Sequence, residues 1–391
     1  GKAVIASARE FSDTLSAVTK LRKAHPELSG ELISEAVTQA ELQRTLSSRW
    51  AGNYSDLILT NSGIEQATRP AVANWRAEWI KSRFGPDVRI LDLTCGLGFD
   101  SMALARSGLR VTAVELDPLV ANCAAYNLSP YGVEVICSDG LEVDKSEYDL
   151  LFIDPMRRDP NSARNLTGQQ KRILDPENWS PGWSQICELA RSTSVICKVA
   201  PGIQDQYLSQ WDCIWISDNG DLVEAMTISD GTGRRSAVLI EDDDFVAVPN
   251  SGLPPVKEAG DYLVVPNGAI TRAQALATVC DLVDGGLVNE YVGWIHSSDS
   301  DRVQKLLGQK PKLADAYEII ARVKADEKAI AQAIRHMPAS SITITTRGMQ
   351  VDIEKFRKKI SNGLDSSAPE LVIAMYRDDR GNQALICRRL G

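Results

Sequence analysis

The feature that most constrains the fold is an apolar segment that runs directly into a glycine turn. Residues 90–100 read Ile-Leu-Asp-Leu-Thr-Cys-Gly-Leu-Gly-Phe-Asp. The apolar start predicts a buried strand, and Gly96 and Gly98 permit a turn at which the backbone can approach a ligand before a helix begins. This order predicts one crossover unit of a parallel sheet, with a site for a nucleotide-like ligand at the turn.

Short apolar runs alternate with helical stretches on both sides of that turn, and this alternation predicts the fold class. The strand candidates are residues 88–93, 110–114, 133–137, 149–153, 194–199, 211–217, 223–229 and 236–241. They predict an α/β, Rossmann-like sheet of about seven strands with crossover helices. Glycines at residues 231–233 predict a turn that joins the last two strands as neighbours.

The flanking segments predict two further regions. Apolar residues at three- and four-residue spacing predict an N-terminal helical region over residues 1–85. The sheet domain then covers residues 86–241, and an acidic run at 241–244 followed by a stretch rich in Pro and Gly marks its end. Residues 242–391 mix helices with alternating strands, which predicts a small C-terminal α+β module.

Several classes of protein are excluded by composition. No apolar run approaches the roughly 18 residues that a membrane span needs. The eight cysteines are scattered without a C-x-x-C pair and only three histidines are present, so neither a zinc site nor a disulfide framework is indicated. We therefore expect a cytoplasmic protein with no metal and no membrane partner.

The charge is unevenly distributed along the chain. The net charge is -9, yet residues 321–391 hold 13 Lys and Arg against 8 Asp and Glu. A locally basic module is typical of a surface that binds phosphates, although lysines on solvated helix faces give the same count.

Acidic residues follow the next two strands at positions that suit a nucleotide-like ligand. Glu115 comes 19 residues after Gly96, close to the roughly 20 expected for a carboxylate that holds ribose hydroxyls. The third strand ends at Asp139-Gly140, where the carboxylate can bind an adenine amino group. The alternatives are a solvated acid at a strand end for Glu115 and a simple Asp-Gly turn at 139.

The type of cofactor follows from the helix start. Ser101 stands where a dinucleotide site has its third glycine, and Asp100 would repel a pyrophosphate. S-adenosylmethionine instead carries an ammonium and a sulfonium, and the carboxylates of Asp92 and Asp100 can tolerate or hold these positive charges. Residues 92–98 resemble the first motif of class I S-adenosylmethionine-dependent methyltransferases, with Thr94 where glycine is commoner. The candidate cofactor-binding residues are Asp92, Thr94, Gly96, Gly98, Phe99, Asp100, Glu115, Leu116, Asp139 and Gly140.

The fourth strand ends in Asp154-Pro155, which is similar to the Asp/Asn-Pro-Pro-aromatic motif of amino-group methyltransferases acting on nucleic acids. The resemblance implies that Asp154 and Pro155 are catalytic, since their oxygens would accept hydrogen bonds from the target amine and aim its lone pair. Met156 and Arg157 depart from the motif, because they replace its second proline and its aromatic. The alternative is a capped helix start with proline in its first turn.

The segment after Asp154 is cationic and aromatic, which predicts a functional loop over the site. Its charged and aromatic members are Arg157, Arg158, Arg164, Lys171, Arg172, Trp179 and Trp183. We take Arg157, Arg158, Trp179 and Trp183 as candidate substrate-binding residues, because guanidinium and indole planes stack on bases. Solvated arginines on a surface loop are the alternative.

Four further motifs extend the resemblance over nearly the whole chain. They are Gln66-Ala67-Thr68, Asp154-Pro155-x-Arg157-Arg158, Lys198-Val199-Ala200-Pro201-Gly202 and Arg347-Gly348-Met349-Gln350-Val351-Asp352. Together they resemble a bacterial family of methyltransferases with a C-terminal THUMP-like domain. The catalytic part also resembles the RNA cap guanine-N2 (trimethylguanosine synthase) family, whose Pro-Pro-Trp this chain lacks.

The resemblance implies an RNA substrate, because THUMP domains serve RNA-modifying enzymes. We expect methylation of a base nitrogen, an exocyclic amine, in structured RNA such as tRNA or rRNA. Two alternatives stay open: a methyltransferase that acts on a small molecule or a protein, and a non-catalytic RNA-binding protein with a relic methyltransferase fold.

Overall fold

The computed structural model describes residues 2–11, 13–50, 52–158, 162, 171–242, 244–360 and 367–390. Their helices are α1 (Lys2–Arg9), α2 (Thr14–Ala24), α3 (Gly30–Trp50), α4 (Asn61–Gln66), α5 (Pro70–Phe84), α6 (Phe99–Arg106), α7 (Pro118–Leu128), α8 (Trp183–Leu189), α9 (Gly268–Arg272), α10 (Leu276–Val283), α11 (Ser300–Leu307), α12 (Glu327–Ile334) and α13 (Ile353–Ile360). None of them is long and apolar enough to cross a membrane.

The strands of the described residues belong to two large sheets. They are β1 (Arg89–Asp92), β2 (Arg110–Glu115), β3 (Glu134–Cys137), β4 (Leu150–Ile153), β5 (Ser194–Val199), β6 (Asp212–Asp218), β7 (Asp221–Ile228), β8 (Arg235–Glu241), β9 (Asp244–Pro249), β10 (Tyr262–Pro266), β11 (Gly286–Asn289), β12 (Val292–Ser297), β13 (Ala314–Lys324), β14 (Ile342–Arg347), β15 (Leu371–Asp378) and β16 (Gly381–Leu390).

The first sheet has the order β3-β2-β1-β4-β5-β7-β6-β8-β9. Its strands β1 to β5 are parallel, as expected for crossover units joined by helices. The chain winds outward from β1 to β3 and then returns to place β4 beside β1. Ligands of open α/β sheets bind outside the carboxyl ends of the strands at such a switch point. The predicted α/β class is confirmed, with nine strands where about seven were expected.

One predicted connection in this sheet is wrong. The glycines at 231–233 do not join neighbouring strands, because β8 pairs in parallel with β6 and not with β7. The tight turn lies at Asn219-Gly220 between β6 and β7, where both residues have positive φ, 49° and 86°. Asn-Gly in this conformation is the preferred two-residue hairpin loop.

The N-terminal helices α1, α2 and α3 share one apolar core. Asp13 caps α2 by accepting a 2.7 Å hydrogen bond from the backbone N–H of Ser16. The region is helical as predicted.

The second sheet has the order β11-β12-β10-β13-β16-β15-β14 and contains mainly antiparallel pairs. Contacts between residues group the chain into two compact units, Gly1–Val199 with Thr227–Asp230, and Ala200–Met226 with Gly231–Gly391. The division at 85/86 and 241/242 therefore differs from the grouping by contacts and stays a prediction.

Candidate active site

The glycine turn after β1 is closed by a 2.9 Å hydrogen bond from the Gly98 N–H to the Cys95 carbonyl. Gly96 and Gly98 both have positive φ, 56° and 86°, which other residues adopt only under strain. A Cβ at Gly98 would lie 2.9 Å from the Leu128 side chain, whereas a Cβ at Gly96 would meet nothing within 4 Å. Gly98 is thus needed for packing, while Gly96 faces open space at the switch point.

Glu115 lies at the carboxyl end of β2 and is bound to that turn. One of its carboxylate oxygens accepts a 3.0 Å hydrogen bond from the Gly96 N–H, and the other accepts a 2.9 Å bond from the Asp117 N–H. A carboxylate has about four acceptor positions, so capacity remains for ribose hydroxyls. Next to it, Leu116 is 64% exposed and offers an apolar surface.

Asp139 lies beyond the carboxyl end of β3, and this strand pairs with β2 through Glu115 and Cys137. Its exposed carboxylate accepts a 2.9 Å hydrogen bond from the Leu141 N–H. A Cβ at Gly140 would lie 2.5 Å from the Leu93 carbonyl oxygen. The glycine is therefore required for the close approach of this loop to β1, and Asp139 is left at the open edge of the sheet.

These features fit S-adenosylmethionine at the open edge. The empty space above Gly96 suits a ligand that lies close to the backbone, Glu115 and Asp139 provide acceptors for hydroxyl and amino groups, and Leu116 provides apolar surface. In the described residues no group of three or more His, Cys, Asp or Glu side chains is arranged to hold a metal ion.

Asp92 is buried at the end of β1, where it joins the strand to helix α6. Its carboxylate accepts a 2.6 Å hydrogen bond from the Ser101 hydroxyl and a 3.3 Å bond from the Thr94 N–H. Burial, together with the nearby charge of Asp100, raises the pKa of Asp92 to about 7. Ser101, which replaces the third glycine of a dinucleotide motif, thus has a structural role.

Asp100 lies in the first turn of α6 and is bound by three side chains of the protein. Arg76 forms an ion pair with one oxygen, while the Thr68 hydroxyl at 2.5 Å and the Lys198 ammonium at 3.1 Å donate to the other. Burial alone would raise the pKa of Asp100, but the charges of Arg76 and Lys198 hold it at about 2. Asp100 was predicted to contact the cofactor; in this structure its carboxylate is engaged inside the protein.

Asp154, at the carboxyl end of β4, is held on three sides and is about 25% exposed. Its N–H donates a 2.7 Å hydrogen bond to the Thr94 hydroxyl oxygen. Lys198 lies 2.6 Å from Oδ2, and Arg157 lies 3.4 Å from Oδ1. Pro155 is buried behind it. Thr94, the departure from the first motif, therefore connects the β1 turn to the β4 motif.

The segment after Pro155 pairs with a later part of the chain. Met156 exchanges two backbone hydrogen bonds with Ser180, of 2.8 and 3.2 Å, and Arg158 forms a bridge with Arg172. Met156 is 41% exposed. Of the cationic residues predicted in the intervening loop, Arg164 lies outside the described residues.

Trp179 and Trp183 anchor this segment from inside. They are only 6% and 5% exposed, and the Trp179 indole N–H donates a 3.1 Å hydrogen bond to the Ile173 carbonyl. In this structure neither ring presents a face to solvent, so the predicted stacking of these indoles on a base has no support here. Phe99, a candidate cofactor-binding residue, makes an edge contact with Trp50.

Thr68, Arg76 and Lys198 were not predicted as site residues. Thr68 and Lys198 occur in motifs that carried the family resemblance, but no role followed from their spacing. The sequence did contain one signal for Lys198, namely its position inside the apolar strand β5. A buried charge requires a partner, so such a lysine indicates a nearby carboxylate.

Comparisons with known proteins agree with this architecture. Residues 314–389 match the family model described as THUMP domain-like. Two S-adenosylmethionine-dependent methyltransferases from two strains of Mycobacterium tuberculosis, described as uncharacterized, are each 25% identical over 350 residues, which is 85% of this chain and 89% of the relative.

A solved structure from Porphyromonas gingivalis W83, named as a methyltransferase, superposes with a TM-score of 0.67. It covers 93% of this chain and 92% of its own at 17% identity, a level that shows the fold. The chain therefore has the fold of the class I, S-adenosylmethionine-dependent methyltransferases, and a THUMP-like domain occupies residues 314–389.

Proposed function

We propose that this protein methylates a base nitrogen, an exocyclic amine, of structured RNA. The observation that carries the proposal is the junction at the switch point. There the Gly96 turn is bound to Glu115, and Thr94 of the same turn is bound to Asp154. A residue proposed to bind the cofactor and a residue proposed to bind the acceptor are thus both hydrogen-bonded to one loop.

S-adenosylmethionine is the cofactor, as the relatives of this protein indicate. Glu115 would hold the ribose hydroxyls, Asp139 the adenine amino group, and Leu116 one face of the adenine. When bound, the cofactor would supply an electrophilic methyl group to the amine nitrogen and would leave as S-adenosylhomocysteine, while the amine would lose one proton to solvent.

Asp154 and Pro155 act on the acceptor. The Asp154 carboxylate and the Pro155 carbonyl accept hydrogen bonds from the two amine hydrogens, so that the lone pair points toward the methyl carbon. Catalysis of this kind rests on positioning and on exclusion of water. Met156, exposed beside this pair, offers a polarisable side chain to a base where the related motif has an aromatic.

RNA as the acceptor is supported by the THUMP-like match and by the basic composition of the same region. Arg157 and Arg158 would contact the phosphates or the base near the reacting nitrogen. The finer resemblance to the cap guanine-N2 family, and tRNA or rRNA as the specific target, stay hypotheses.

The cofactor half is tested by calorimetric titration of S-adenosylmethionine into the parent, Gly96→Ala and Gly108→Ala. Gly96 and Gly108 share positive φ, 56° and 90°, and a Cβ at either meets nothing within 4 Å. Both alanines therefore cost similar stability, about 1 kcal/mol. Only Gly96→Ala places a methyl group in the cofactor space, so we expect it to weaken binding at least tenfold while Gly108→Ala matches the parent. Equal affinity of both variants contradicts the assigned cofactor position.

The acceptor half is tested with tritiated S-adenosylmethionine and total RNA, followed by nucleoside analysis. We expect label in an N-methylated base with the parent and at least a hundredfold less with Asp154→Ala. Label confined to protein or small-molecule fractions supports the competing acceptors. Cofactor affinity without transfer to any fraction supports a non-catalytic RNA-binding protein.

A further inference from the structure

Lys198 is a charged residue inside the buried strand β5, and its side chain is only 3% exposed. Its Nζ lies 2.6 Å from the Thr68 hydroxyl oxygen, 3.1 Å from Asp100 Oδ2 and 2.6 Å from Asp154 Oδ2. An ammonium has three hydrogens to donate. Each of them therefore has an oxygen within hydrogen-bond distance.

The partners of Lys198 belong to both halves of the site. Asp100 lies in the first turn of the helix behind the glycine turn, whereas Asp154 directly follows the strand that leads to the acceptor motif. The guanidinium of Arg76 forms an ion pair with Asp100 on its other oxygen. Two buried cations thus meet two carboxylates, and removal of any one charge leaves the remaining opposite charges of this cluster with one partner fewer.

The two oxygens of Asp154 consequently have different environments. Oδ2 is bound to the buried ammonium, while Oδ1 lies 3.4 Å from Arg157, whose side chain is 27% exposed. An acceptor that enters from solvent meets Oδ1, because Oδ2 is occupied from within. The contact to Lys198 also fixes the rotation of the carboxylate.

We propose that Lys198 is a positioning residue, which holds Asp154 so that Oδ1 receives the acceptor amine and which makes an aspartate obligatory at position 154. The inference rests on the proposed amine methylation for its catalytic part. The related Asp/Asn-Pro-Pro-aromatic motif has either an aspartate or an asparagine at this position. Here an amide at 154 removes one of the two carboxylates that contact the ammonium, so Lys198 is left to share Asp100 with Arg76.

A double-mutant cycle tests the electrostatic part without any substrate. The variants are Asp154→Asn, Lys198→Met and the pair together, and denaturant unfolding gives their equilibrium constants. Asp154→Asn should raise the equilibrium constant of unfolding by some factor in the parent. In the Lys198→Met background we expect that factor to be at least ten times smaller. Additive effects overturn the proposal. If the single variants do not fold, a folded double variant supports it and an unfolded double variant contradicts it.

Lys81→Met is the matched control. Lys81 is a half-buried lysine of the same unit, and its Nζ donates a 2.7 Å hydrogen bond to the Ser107 carbonyl and not to a carboxylate. Asp154→Asn should therefore have the same effect in the Lys81→Met background as in the parent.

Kinetics with tritiated S-adenosylmethionine and total RNA separate positioning from general structural support. Asp100 keeps Arg76 and Thr68 when Lys198 becomes methionine, so cofactor affinity should stay within threefold while kcat falls at least a hundredfold. Lys198→Arg, which keeps the charge, should recover at least tenfold of that loss. Parallel losses in cofactor affinity and kcat, without recovery by arginine, overturn the positioning role. If the parent transfers no methyl group to RNA, the proposed function fails, while the unfolding cycle still decides the role of Lys198.

Discussion

Asp92, at the end of β1, and Asp100, in the first turn of α6, are both buried, yet their pKa values move in opposite directions. Asp92 has hydroxyl and N–H donors, and burial raises its pKa to about 7. Asp100 is buried too, but Arg76 and Lys198 lower its pKa to about 2. At Asp100 the two adjacent cations outweigh the effect of burial, whereas the hydrogen bonds to Asp92 do not.

This difference predicts a pH dependence of stability. Between an ordinary pKa of 3.8 and about 7, Asp92 is protonated in the folded state and ionised in the unfolded state. The unfolded state then binds fewer protons, so the contribution of Asp92 to the free energy of unfolding falls as pH rises, by roughly 1.4 kcal/mol per pH unit. Asp92→Asn removes this pH-dependent contribution. We therefore expect the free energy of unfolding of the variant, relative to that of the parent, to rise by roughly 3 kcal/mol from pH 5 to pH 8.

Urea unfolding of both proteins at the two pH values measures that change. The control is Asp87→Asn, because Asp87 is an exposed carboxylate that pairs with Arg110 at 3.0 Å. It should follow the parent at both pH values. An Asp92→Asn variant that loses stability relative to the parent on going to pH 8 has the wrong sign and contradicts the argument.

At the scale of elements, the connection between the β1 turn and β4 depends on one hydroxyl. Glycine is commoner at the position of Thr94 in the motif that this chain resembles. A glycine has no side-chain oxygen to accept the hydrogen bond from the Asp154 N–H. The threonine therefore gives this chain a side-chain bond between two neighbouring strand ends. Asp154 is positioned through its backbone by Thr94 and through its carboxylate by Lys198.

Replacement of this hydroxyl by a methyl group tests the connection. Thr94→Val keeps the shape of the side chain but leaves the half-buried Asp154 N–H without its acceptor, which costs roughly 1–3 kcal/mol of stability. Hydrogen exchange should show faster exchange of the Asp154 amide, and methyl transfer should fall. Thr94→Ser keeps the oxygen and serves as the control; loss of protection in this variant as well would mean that the hydroxyl is not the relevant group.

The strands of the first sheet were predictable from sequence because buried parallel strands are short apolar runs between helical stretches. β9 was missed because it is an exposed edge strand that follows an acidic run, which indicated a boundary. The strand order around β6 was missed for a different reason. Asn219-Gly220 is a strong hairpin signal and joins β6 to β7, whereas the glycines at 231–233 connect two strands that do not pair.

The site was predictable where residues lie at the ends of consecutive strands. The spacing of Gly96, Glu115 and Asp139 indicated one edge of the sheet, and the structure brings Glu115 to Gly96. The cluster around Asp100 was not predictable, since Thr68 and Lys198 are distant in sequence and meet only after folding. Burial of Trp179 was hidden for a similar reason, because an aromatic in a cationic loop gives no sign of which side it packs on.

At the scale of the whole molecule, the charge of the chain is divided between regions of opposite sign. The chain has a net charge of -9, while residues 321–391 hold 13 Lys and Arg against 8 Asp and Glu. A protein with this distribution avoids indiscriminate attraction to nucleic acid and concentrates its positive charge in the region that contains the THUMP-like match.

Reversal of charge in this region should therefore weaken RNA binding far more than the same reversal elsewhere. Lys324, Lys328, Arg335 and Lys355 are exposed cations within residues 314–389. Their replacement by glutamate should lower affinity for total RNA at least tenfold and reduce the slope of log K against log salt by about one for each phosphate that is no longer neutralised. Glutamates at the exposed residues Lys20, Lys23, Lys305 and Lys310 make the same change in net charge outside the match. Filter binding at several salt concentrations separates the two sets, and equal effects of both would mean that overall charge, and not the THUMP-like region, governs the association with RNA.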